Sequence, residues 1–170
     1  MGQMVKTPQI ILIDGPAGAG KTTLSLELLR QLNPESCELI HLDYLYDGWE
    51  NALTDSLTKV LVELVVAFKN RVAFDLPVYN WERMAFESTR RIEPVDTLII
   101  EGVGAGQSAI RGYAEKLYWV EVDDEIGMQR VLARDGAHLE REMRLWKERE
   151  AKHFIDERTR DFADFIISTA

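Results

Sequence analysis

Cysteine occurs once, at Cys37, so the chain can close no disulfide on itself. A lone thiol suits a reducing compartment and gives no sign of catalysis. Long apolar runs are missing too. The most apolar helical stretch, LTKVLVELVVAF, is interrupted by Lys59 and Glu63 and reads as a core helix, not a membrane span. The leading MGQMVKTPQIILIDG has no signal-peptide core. Gly2 hints at N-myristoylation, but Lys6 stands where that pattern needs Ser or Thr. Positive charge is scarce: 20 Lys and Arg against 29 Asp and Glu leave a formal net charge of −9. That balance argues against a non-specific grip on nucleic acid or on an anionic membrane, since both need a positive face. It leaves room for a small basic pocket that holds phosphate. Low-complexity tracts, Gly/Ser linkers and repeats are absent, so residues 1–170 read as a single domain, expected to be cytoplasmic.

What is present is a core. Hydrophobic residues make up 46% of the chain. Five short apolar runs read as strands: QIILID (9–14), ELIHL (38–42), TLIIE (97–101), LYWVEV (117–122) and DFIIS (164–168). Several are nearly continuous, as strands covered on both faces are. Helical patterns lie between them at 21–32, 53–69, 80–91 and 107–115, and from 124 onward. Strands alternating with helices imply a three-layer αβα fold around a parallel sheet, with right-handed crossovers. The segment 133–161 is dense in charge of both signs and reads mostly as a solvated helix pair, a composition that a mobile lid shares.

GPAGAGKT at 15–22 fits G-x-x-x-x-G-K-[ST] at every fixed position, with a strand before it and a helix after it. Backbone N–H groups of such a loop point inward at phosphate oxygens, and the helix N-terminus adds partial positive charge. The cradle comprises Gly15, Pro16, Ala17, Gly18, Ala19, Gly20, Lys21, Thr22 and Thr23. Lys21 supplies a full charge near the β and γ phosphates, and Thr22 a hydroxyl for Mg²⁺. No Asn is followed by Lys, so the N-K-x-D element that reads guanine is missing and ATP is the expected nucleotide.

Acids at strand ends complete the pattern. Ligands of open α/β sheets bind at the carboxyl ends of the strands. Glu101 closes TLIIE beside the phosphate loop and is a candidate to hold Mg²⁺. Asp43 follows the second strand in HLDYLYDGW and is the candidate base for an attacking hydroxyl. Arg130, Arg134 and His138 are spaced by four and fall on one helical stripe, with Arg141 a turn further. Arg130 and Arg134 suit the spread charge of a transferring phosphoryl group.

GPAGAGKTTL, HLDYLY, IIEGV and RVLARD together resemble the uridine kinase-like branch of P-loop nucleoside and small-molecule kinases. The resemblance implies a P-loop NTPase fold with strand order 2-3-1-4-5 and a helical lid near 133–150. It implies Asp43 as the residue that activates the acceptor hydroxyl, Glu101 as an aid to Mg²⁺, and Arg130 and Arg134 as lid arginines on the ATP phosphates. LPVYNWER resembles the family's acceptor segment, so Pro77, Tyr79 and Trp81 match its proline and aromatic positions. Asn80 replaces its acid, and Met84 replaces a histidine that helps read the pyrimidine. Tyr79, Trp81 and Arg83, together with Asp47 and Trp49, are the candidate acceptor contacts. The expected activity is Mg-ATP-dependent phosphorylation of a small-molecule hydroxyl, a nucleoside among the candidates. Two alternatives stand beside it. A nucleoside monophosphate kinase would use Arg83, Arg90 and Arg91 for the second phosphate. A nucleotide-binding regulatory module would keep the phosphate loop without needing Asp43.

Overall fold

Gln9–Asp14 forms β1 because its apolar residues serve both faces of a sheet: Ile10 and Leu12 point into one core layer, Ile11 and Ile13 into the other. The computed structural model describes residues 6–170, so Gly2 lies outside the described residues. Helix α1 (Lys21–Gln31) starts from Gly20 in a left-handed conformation and stops before Asn33-Pro34. Strand β2 (Cys37–His41) runs into a 3-10 turn at Leu42–Tyr44. Helix α2 (Asp55–Lys69) buries Leu57, Leu61, Leu64, Val65 and Phe68, one stripe at helical spacing.

The next segment departs from expectation. Residues 80–91 are not helical. Phe74–Asn80 and Ala85–Ile92 pair as an antiparallel hairpin, β3 and β4, apart from the main sheet. The helix-forming Glu, Arg and Met content of this stretch yields to its turn chemistry. The Asn80 side chain accepts from the backbone N–H groups of Glu82 and Arg83 at 3.0 and 3.1 Å, and Met84 takes a positive φ of 54°. Tyr79 then packs edge-on against Trp81 and Phe86, a strand-type contact.

Strand β5 (Thr97–Glu101) is followed by a helix α3 of only Ser108–Arg111, shorter than the expected 107–115, and then by β6 (Lys116–Glu121). Helix α4 (Asp124–Asp135) is capped by Asp123, whose carboxylate accepts from the Glu125 and Ile126 N–H groups. It ends at Gly136, where φ is 116°. A 3-10 turn at Ala137–Leu139 leads to α5 (Glu140–Glu157), then α6 (Thr159–Phe162) and β7 (Phe165–Ser168). The sheet order is β2-β5-β1-β6-β7, all parallel, which is the expected 2-3-1-4-5 once the hairpin strands are set aside. Among the described residues, no helix is long and apolar enough to cross a membrane.

The break at Gly136 corrects the expected arginine stripe. Arg130 and Arg134 share α4, but His138 and Arg141 lie beyond the break and do not continue its face.

Candidate active site

Parallel strands deliver their ends to one edge. Register places His41 opposite Glu101 and Ile13 opposite Glu101 on its other side, so the ends of β2, β5 and β1 converge. A cavity of about 830 Å³ opens there. The phosphate loop, Asp43, Glu101, Arg130 and Arg134 line it, and so do the aromatic side chains of Tyr44, Tyr46, Trp49, Trp81 and Trp146.

The loop keeps its shape for steric reasons. A Cβ on Gly15, at φ 144°, would sit 1.9 Å from the Val120 carbonyl oxygen, and one on Gly18 would sit 2.2 Å from that of Gly127. Asp14, fully buried at the end of β1, fixes the base of the loop. Its carboxylate accepts from the N–H groups of Gly15 (2.7 Å), Gly104 (3.1 Å) and Gly106 (2.8 Å). Burial raises the Asp14 pKa, and those three N–H groups oppose the shift.

Lys21 is buried and donates to the Pro16 carbonyl at 2.8 Å, inside the curl of its own loop. Burial lowers its pKa, while Glu101, Glu150, Asp14 and Asp43 hold it up. Thr22 Oγ1 donates to Glu101 Oε1 at 3.1 Å, and Glu101 is 4% exposed. The hydroxyl and the carboxylate therefore share one spot beside Lys21, an oxygen pair that fits a hard cation. Among the described residues, no group of three or more His, Cys, Asp or Glu side chains could hold a metal alone.

Asp43 sits in the 3-10 turn after β2, open to solvent through the cavity yet surrounded by protein. The surrounding protein raises its pKa and Glu101 adds to the rise; Lys21, Arg134 and His41 pull it back. Arg134 is held by a bidentate pair with its neighbour Asp135, both bonds 2.8 Å. Arg130 donates to the Gly18 carbonyl (3.2 Å) and to Thr169 Oγ1 (2.9 Å), so it braces the phosphate loop from α4.

The acceptor candidates divide. Trp49 and Trp81 are on the cavity wall, 5.4 Å apart edge to face. Asp47, Tyr79 and Arg83 are not. Asp47 is exposed in a bridge to Asn51, Tyr79 is buried behind Trp81, and Arg83 points out to Glu87. The alternation of β3 turns Tyr79 inward against the hairpin's own rings. Arg90 and Arg91 are also committed outside the cavity, Arg90 to Glu38 and the Leu39 carbonyl, Arg91 to Asp75 and Glu93.

Several site residues escaped the sequence reading. His41 Nδ1 lies 2.5 Å from Glu101 Oε1, and that bond raises the His41 pKa. Tyr46 is buried, its hydroxyl donating to the Val103 carbonyl at 2.6 Å, while Tyr44 remains 54% exposed. Trp146, Lys147 and Glu150 come from the charge-rich stretch 133–161, yet Trp146 and Glu150 are buried beside the phosphate loop. The expected lid of 133–150 is thus anchored from Met143 onward, since Met143 and Trp146 belong to the core.

The AAA domain family matches residues 11–154. A uridine kinase of Limosilactobacillus reuteri (strain DSM 20016) is 26% identical over 147 residues, covering 78% of this chain and 67% of that protein. A uridine kinase of Staphylococcus aureus (strain JH9) is 27% identical over 145 residues, covering 77% and 70%. Among solved structures, a possible uridine kinase from Bacillus stearothermophilus superposes with a TM-score of 0.68 at 20% identity, over 97% of this chain and 91% of that one. A shikimate kinase from Acinetobacter baumannii gives 0.55 at 19% identity, over 97% and 86%. At those identities the superpositions show a shared fold.

Proposed function

The chain belongs to the AAA domain family, as a uridine kinase-like P-loop kinase, and from that premise we propose that it transfers the γ-phosphoryl group of Mg-ATP to a hydroxyl of a neutral, ring-bearing small molecule. One observation carries the reading: Asp43 shares a single cavity with the phosphate loop, where Lys21, Glu101 and Arg134 all act on its charge.

The loop N–H groups and Lys21 hold the β and γ phosphates. Thr22 and Glu101 would hold Mg²⁺, which would offset the charge of the phosphate oxygens when bound. Asp43 takes the proton of the attacking hydroxyl. Arg134 reaches the transferring group from the end of α4, and Arg130 keeps the loop in register.

The acceptor wall supports a neutral partner. Arg83, Arg90 and Arg91, the cations a second phosphate would require, are engaged outside the cavity. Trp49, Trp81 and the nearly buried Trp146 give the wall aromatic surface against which a ring packs. The polar ends of two are already taken: Trp81 Nε1 donates to the Asp43 carbonyl (2.8 Å) and Trp146 Nε1 to Glu150 (3.1 Å). These features favour a neutral ring alcohol over a nucleoside monophosphate. Release of ADP from Mg-ATP, followed across nucleosides, nucleoside monophosphates, sugars, cyclic polyols and vitamin alcohols, tests the reading. Acceptor-dependent ADP with a neutral member is expected. Turnover confined to monophosphates would contradict the neutral acceptor, and none at all would contradict the kinase.

A further inference from the structure

One turn of α5 grips both walls of the cavity. Glu150 is 2% exposed, and its Oε2 accepts two hydrogen bonds at once. One comes from the backbone N–H of Ala17 in the phosphate loop, at 3.0 Å. The other comes from the indole N–H of Trp146, at 3.1 Å. Lys147 completes the grip on the loop: its Nζ donates to the Ala17 carbonyl at 3.2 Å and pairs with Glu150 Oε1 at 2.9 Å. On the acceptor side, Arg149 donates to the Trp49 carbonyl at 3.2 Å. The Trp146 ring itself lies 5.2 Å from Tyr46 and 6.1 Å from Trp49, centroid to centroid.

The Ala17 residue is therefore held at both its N–H and its C=O by α5, and the same carboxylate sets the indole that forms the acceptor wall. A carboxylate nearly sealed from water tolerates no lost partner, because each unsatisfied bond leaves a desolvated charge. A shift of the phosphate loop must then carry Glu150, and with it Trp146. Resting on the kinase reading, we infer that Glu150 is a positioning residue that couples the two substrates: nucleotide in the phosphate loop shifts the Trp146–Glu150 turn with the loop and so adjusts the acceptor wall. By linkage, acceptor binding tightens nucleotide to the same degree. The arrangement also explains why a buried acid stands beside a cradle for anions. It acts on the loop through the Ala17 N–H, while Lys147 offsets its charge.

Indole fluorescence tests this without a known acceptor. A non-hydrolysable ATP analogue with Mg²⁺ is titrated into the wild type and into Glu150→Gln and Trp146→Phe variants. The wild type should change its emission and its quenching by acrylamide, and Trp146→Phe should lose that change. Glu150→Gln should still bind the analogue, though less tightly because Ala17 loses part of its hold, yet show little of the emission change. With an acceptor from the ADP screen, the analogue should tighten acceptor binding by about 5–150-fold in the wild type and hardly at all in Glu150→Gln. A merely structural Glu150 would lower stability and leave this coupling factor intact. Should Glu150→Gln fail to fold, Trp146→Phe keeps an aromatic side chain at this position while removing the indole N–H and part of the ring, so hydrogen exchange over 45–50 decides. Nucleotide-induced protection there should be lost. A full emission change in Glu150→Gln, an unchanged coupling factor, or retained protection in Trp146→Phe overturns the inference. Failure of the analogue to bind the wild type contradicts the kinase reading itself, a separate outcome.

Discussion

Asp43 is a carboxylate whose surroundings oppose its charge. The protein around it and the Glu101 carboxylate raise its pKa; Lys21, Arg134 and His41 restrain the rise. A base must be deprotonated to act, so turnover should fall as pH drops through this raised value, above the ordinary aspartate value of about 3.9. Replacing Arg134 by Ala removes one restraining cation and should move the acid limb of kcat/KM further up in pH, besides slowing transfer. A limb that stays in place would separate Arg134 from Asp43. The place of Asp43 at the cavity was legible in the sequence because the acid follows an apolar strand whose carboxyl end lies on the same edge as the phosphate loop. Glu150 was not, because EREMRLWKERE offers acids on every side of a helix. Only packing shows that Met143, Trp146 and Glu150 share the buried face.

At the scale of elements, one acid helps tie α6 and the C-terminal strand to the end of β6. Glu121 at the end of β6 accepts from Arg160 of α6, from the Trp119 indole and from Ser168 of β7, and its pKa is lowered to about 2, chiefly by Arg160. A depressed carboxylate stabilises the fold above its unfolded value, about 4.3 for Glu, and that contribution is lost as pH falls toward 2. Thermal melts of Glu121→Gln should therefore lie below wild type at pH 7, with the gap closing between about pH 4.3 and 2. A gap independent of pH would assign the loss to packing. The parallel strands were readable because strands covered on both faces must be apolar throughout. The β3–β4 hairpin was not: β4, AFESTRRI, is exposed along most of its length and carries no burial pattern. The turn that makes it depends on the Asn80 side chain and a positive φ at Met84, a conformation uncommon for residues other than glycine.

For the whole molecule, nucleotide should act as a stabilising ligand of the folded state. At about 100 times its Kd, Mg-ADP should add ~2.7 kcal/mol. For a chain of this size that corresponds to a rise in Tm of roughly 5–10 °C. A melt insensitive to Mg-ADP would contradict a working phosphate cradle. The cradle was legible from its local motif, and the strand order from the resemblance to P-loop kinases. The acceptor wall was legible only in part, because Trp49 and Trp81 reach it from a loop and a hairpin turn while Trp146 reaches it from α5. The most direct test of the central claim compares wild type with Asp43→Asn in acceptor-dependent ADP release. ATP binding should be unchanged and transfer to the neutral acceptor reduced by at least ~100-fold, the scale of a lost general base. Near-normal turnover by Asp43→Asn would remove Asp43 from the chemistry and the account with it.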